Sequence, residues 1–165
     1  MNPPLSADLE TLRHRHLRGG WWSLLVFLAL GLALEALHGF KVGAYLAPSH
    51  HTRRLMWTLA HAHGTLLALV QIAFALSLSH LPRFAGDPAK RASRLLQAAA
   101  WLIPAGFFLG GVWVHGGDPG VGIALVPVGA LFLLVAVALV ARACGAKAST
   151  PDAKPGPPAT SPTRR

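Results

Sequence analysis

The chain of 165 residues has little of what soluble chemistry uses. It contains one cysteine, Cys144, so no intrachain disulfide can form and no Cys-x-x-Cys redox or zinc motif exists. Acidic residues number six, and charged residues make up 13% of the whole, against about 25% in a soluble domain. No nucleophile elbow or phosphate loop occurs, which argues against hydrolase and transferase chemistry. The net charge is +9, yet no basic stripe is interleaved with aromatics, which argues against nucleic-acid binding.

What the chain does have is long uncharged runs. Residues Leu55 to Leu81 contain no Lys, Arg, Asp or Glu, and runs of about 18 or more such residues are read as membrane spans. Four are expected, over about 21–45, 55–80, 95–115 and 121–141. The fold class that follows is an all-α four-helix transmembrane bundle with the lipid bilayer as its surroundings.

The first 20 residues are polar, with Arg13, Arg15 and Arg18 ahead of Trp21-Trp22, an aromatic pair suited to headgroup level. A short helix from Ser6, with Leu9 and Leu12 on one side, is expected on the membrane surface. A basic stretch before an apolar run also describes a signal peptide. The length of the run and the lack of a small-x-small site favour a retained span. Pro104 is expected to kink span three, which membrane helices tolerate. Gly116-Gly117-Asp118-Pro119-Gly120 is a turn signal that makes spans three and four an antiparallel hairpin. Pro, Ala, Ser and Thr dominate from Gly145 on and predict a disordered tail over 144–165.

Twelve Lys and Arg fall on the side of the termini and the middle loop; three (Lys41, Arg53, Arg54) fall on the other. The positive-inside rule then puts both termini in the cytoplasm of an inner-membrane, multi-pass protein.

With that topology, His38 and His61 both lie ~10 Å into the outer half, on adjacent antiparallel helices. Glu35 is one turn deeper. An ionised carboxylate there costs ~2.5–3.5 kcal/mol, so Glu35 needs a partner or a proton. Gly31, Glu35, Gly39 and Gly43 form a narrow stripe that would admit a neighbouring helix. In span two, His61 shares a face with Thr58, Gly64, Thr65 and Ala68. His63 points about 200° away, so the two histidines cannot ligate one ion from a regular helix. In span three, Gly106 and Gly110 make another close-packing pair.

Neutral imidazole is a common metal ligand and an axial haem ligand. The candidate cofactor residues are therefore His38, His61 and His63, for haem b or copper. The candidate metal set is Glu35, His38, His61 and His115. The competing reading is that these groups hydrogen-bond between helices, worth ~0.6–2 kcal/mol each, and do nothing else. A further reading is an accessory or proton-handling subunit of a larger respiratory or transport complex, or a homo-oligomer.

The His61-x-His63 pair resembles haem–copper oxidases and their relatives, where such a pair serves two haems from opposite faces of one helix. That resemblance implies a haem or metal role for His61 and His63. The four-span layout from Trp21 to Ala141 also looks like small bacterial membrane families of unknown function, which implies membrane location.

Overall fold

The computed structural model describes residues 6–81 and 84–145. Of the disordered tail expected over 144–165, the first residues, Cys144 and Gly145, instead close the last helix; residues 146–165 lie outside the described residues, as do Pro3, Pro4, Pro82 and Arg83. Five α-helices follow in order: α1 (Ala7–Gly39), α2 (Gly43–Leu46), α3 (His51–Leu78), α4 (Asp87–Val112) and α5 (Leu125–Gly145). Single 3-10 turns at Pro48–His50 and Val121–Ala124 lead into α3 and α5. No strand occurs among the described residues. Four of the helices are long and apolar enough to cross a membrane. This is an all-α, four-helix bundle of the multi-pass membrane kind, as its uncharged runs require: in lipid a helix satisfies its own backbone polar groups.

Several bounds differ from the expected ones. The N-terminal segment is not a separate surface helix. It is the first part of α1, whose 33 residues reach ~50 Å, well beyond a hydrocarbon core of about 30 Å. Leu9 is buried in a cluster with Phe74, Leu78, Phe84, Ala89, Ala92, Leu96 and Ala136, where the ends of α3 and α4 meet. Span one stops at Gly39 rather than Tyr45. There Lys41 takes a positive φ of 51°, and the Val42 amide donates to the Leu37 carbonyl, a left-handed helix stop. The chain then turns into α2, which brings Tyr45 back against the bundle, 6% exposed.

Helix α3 starts at His51, so Arg53 and Arg54 belong to its first turn rather than to a loop. Each serves the carbonyl end of another helix. Arg53 Nε donates to Gly111 O at 3.0 Å, and Arg54 donates to Leu46 O at 2.7 Å. A cation at a helix C-terminus also meets the negative end of its dipole. Helix α4 begins at Asp87, ahead of its expected start, and runs through Pro104 without a break.

The helices pack in sequence: α1 on α3, α3 on α4, α4 on α5. Helix α1 barely touches α4 and does not pack on α5. The turn between α4 and α5 is the expected one. His115 and Asp118 exchange backbone hydrogen bonds at 3.2 and 2.9 Å. Gly116 and Gly117 between them have φ of 60° and 92°, the pair of positive values that a two-residue hairpin turn demands.

Candidate functional site

The α1–α3 contact explains why His61 sits where it does. Gly20 lies against Ala68 and Ile72, Phe27 against Gly64, and Gly31 against the His61 ring. A Cβ at position 31 would collide with that ring, so glycine here opens the way to the α1 backbone. His61 Nδ1 donates to the Phe27 carbonyl at 2.7 Å. A carbonyl only accepts, so the proton of neutral His61 is on Nδ1 and Nε2 keeps its lone pair.

His61 therefore faces α1, as its place beside Thr58, Gly64 and Ala68 predicts. It lines an open groove of about 610 Å³ together with Glu35, His38, Tyr45 and Thr58, over an apolar wall that includes Leu28 and Leu34. Volumes of about 300–1,000 Å³ are typical of small-molecule sites. Glu35 and His38 are exposed on the flank of the groove. Glu35 makes no ion pair among the described residues.

His63 faces the other way, as the 200° offset requires. Its Nδ1 donates to Leu59 O at 2.9 Å one turn back, and its ring packs on Phe107 of α4 at 4.7 Å. His63 Nε2 likewise keeps a lone pair. The two histidines thus serve different sides of α3.

The metal set is not assembled. Among the described residues no three His, Cys, Asp or Glu side chains come together to hold an ion. Glu35, His38 and His61 share the groove, but His115 does not line it. His115 is exposed in the glycine turn, tied there by its backbone pairing with Asp118. The glycine stripe also divides: Gly31 is in close contact, whereas Gly39 and Gly43 have nothing within 4 Å.

Three buried polar residues, His16, Gln71 and Ser93, are not marked by the sequence pattern. His16 stands among basic residues and reads as solvated, yet it is 0% exposed. Its Nε2 shares a hydrogen bond of 2.8 Å with Ser93 Oγ, and its ring meets Phe74 edge-on at 4.7 Å. Its Nδ1 makes no hydrogen bond of good geometry among the described residues, although the Gln71 side chain lies beside it. The available signal was spacing: Leu9, His16 and Gly20 recur along one face of α1, all buried.

His16 lies five residues before Trp21, outside the apolar part of α1. Burial lowers its pKa from 6.5 to about 4; the Gln71 side chain offsets part of this, and Arg15 adds to it. The folded state therefore holds neutral His16 while the unfolded chain takes up a proton below about pH 6.5. Stability from this group is fully present above that pH, is lost as pH falls to about 4, and is flat below. The loss should reach roughly 2–3 kcal/mol. Unfolding in detergent at pH 7, 5 and 4 should show this slope in the wild type and not in His16→Gln. Equal slopes in both would refute it.

No protein-family model, curated protein or solved structure matches this chain.

Proposed function

We propose that this chain is a small integral membrane protein that holds a haem in the α1–α3 groove, with His61 Nε2 as an axial ligand. The observation that carries the reading is the Nδ1–H bond from His61 to the Phe27 carbonyl. A ligating histidine almost always donates its other ring N–H to a carbonyl or carboxylate, which orients the ring and raises its basicity. The choice of haem over a bare ion rests on donor number. A metal ion bound by protein alone takes three or four donors, and no such group is assembled here. A haem iron needs one or two from the protein. The apolar wall suits a porphyrin, and His38 on the opposite helix is the candidate second ligand. The likeness to haem–copper oxidases at His61-x-His63 points the same way, with His63 Nε2 offering a separate position toward α4.

The orientation we infer places both termini in the cytoplasm and the groove in the outer half of the inner membrane, from the twelve basic residues on the terminal side.

The test is absorption of the full chain purified in mild detergent from haem-replete cells. A Soret band is expected. It should be lost in His61→Gln, whose amide can still donate to Phe27 O, and retained in His63→Gln. A colourless wild-type preparation would sink the haem reading.

A second reading has its own observation. Glu35 is exposed at bilayer depth without an ion-pair partner among the described residues, a costly position unless another helix covers it. That favours an accessory or proton-handling subunit of a larger complex, or a homo-oligomer. The same preparation examines it by size: elution as a stable lone protomer would count against it.

A further inference from the structure

A second groove lies at the other end of the membrane-spanning region, nearer the termini. Because α1 packs on α3 and hardly touches α4, a gap remains between α1 and α4 with α3 as its floor. Its deeper part is a cavity of about 390 Å³ that reaches Val26, Phe27, Gln71 and Trp101. Its mouth is a cavity of about 470 Å³ that adds His14 and Arg18. Arg15, Gly19, Trp22 and Gln97 line both, so the two are one continuous cleft.

Two of the charges at the mouth, Arg15 and Arg18, have no ion-pair partner among the described residues. Glu10 is taken by Arg13 and His14, and Asp8 by Lys90, at 2.8 to 2.9 Å. Among the described residues no carboxylate reaches Arg15 or Arg18. Two guanidinium groups, one turn apart on the same helix, therefore face the cleft entrance without an anion among the described residues. Below them stand Trp22, 62% exposed and at the depth where tryptophan meets the headgroup region, and, deeper on the opposite wall, Trp101, 70% exposed. The wall below them, at Val26 and Phe27, is apolar.

The lining thus changes, over one cleft, from paired cations through amide and indole donors to hydrocarbon. A soluble anion would match the mouth and leave the apolar wall bare. A neutral lipid would match the wall and leave the arginines bare. A basic pocket between helices at the cytoplasmic side suits an anionic headgroup, and guanidinium groups match phosphate with parallel donors. We propose that this cleft is a binding site for one anionic phospholipid, its phosphate between Arg15 and Arg18, its backbone near Gln97 and Trp22, and an acyl chain along Val26 and Phe27. The site is separate from the His61 groove and does not depend on haem.

The test uses the full chain, delipidated in mild detergent, with added phosphatidylglycerol or phosphatidylcholine, read by native mass spectrometry and thermal unfolding. One phosphatidylglycerol per chain is expected, at least ~10-fold preferred over phosphatidylcholine, with a rise in Tm. Arg15→Gln/Arg18→Gln should erase the preference. Arg91→Gln/Arg94→Gln, exposed charges at the same end but off the cleft, should keep it. Equal binding of the two lipids, or equal loss in both double variants, would overturn the proposal. So would the same Tm rise with inorganic phosphate alone, which would make this a free-anion site.

Discussion

Leu9→Ala should lower the unfolding free energy by about 3 kcal/mol, within the range of about 2–5 for a buried Leu→Ala change. Leu9 is 2% exposed in a cluster with Leu78, Phe84, Ala89 and Leu96. The site lies beyond Trp21, in the part of α1 that extends past the apolar run. When the cluster opens there, Leu9 meets water rather than lipid, so the full hydrophobic term applies. Leu32 is the contrast. It is 74% exposed in the apolar part of α1, and Leu32→Ala should stay within about 0.5 kcal/mol. Denaturant unfolding in mixed micelles measures both. Equal small effects would mean that the N-terminal turns of α1 lie free on the surface, as the sequence alone suggests.

Gly122→Leu should be of comparable size, about 3 kcal/mol, at the upper end of overpacking costs. The α4–α5 hairpin closes through backbone. A Cβ at 122 would stand 3.0 Å from the Gly110 amide nitrogen and press on Leu109 Cβ, and a Cβ at 106 would stand 3.1 Å from Gly122 O and Val126 N and 2.8 Å from Val126 Cγ2. Around position 122 these neighbours are main-chain atoms and a Cβ fixed to the main chain, which cannot rotate away. Between helices in lipid, close packing is a main source of association energy, so prising α4 from α5 removes what holds the last span. Gly39→Ala is the control: nothing lies within 4 Å of it, and it should be neutral or slightly stabilising through helix propensity. A Gly122→Leu protein with wild-type Tm would refute the close approach.

Much of the fold was legible in the residues. Uncharged runs mark helices because lipid offers the backbone no other partners, and Gly116-Gly117 marks the hairpin because both positions need positive φ. The opposed directions of His61 and His63 follow from helical pitch. The Arg53 and Arg54 roles were hidden, since nothing in a sequence says which distant carbonyl a guanidinium will reach.

The four spans, the turn that joins the last two, and the two-sided placement of the α3 histidines are all written in the residue order. Which faces meet is set by packing. In a soluble helix the apolar face is the buried one; in a membrane helix Leu32, facing outward, and Leu34, buried, are equally apolar. Periodicity then cannot separate lipid from neighbour. That choice rests on where glycine lets backbones approach: Gly31 takes the His61 ring, and Gly39 and Gly43 take nothing. It also rests on how far a helix runs past the membrane. The continuation of α1 carries His16, basic neighbours and all, onto Ser93 and into the interior.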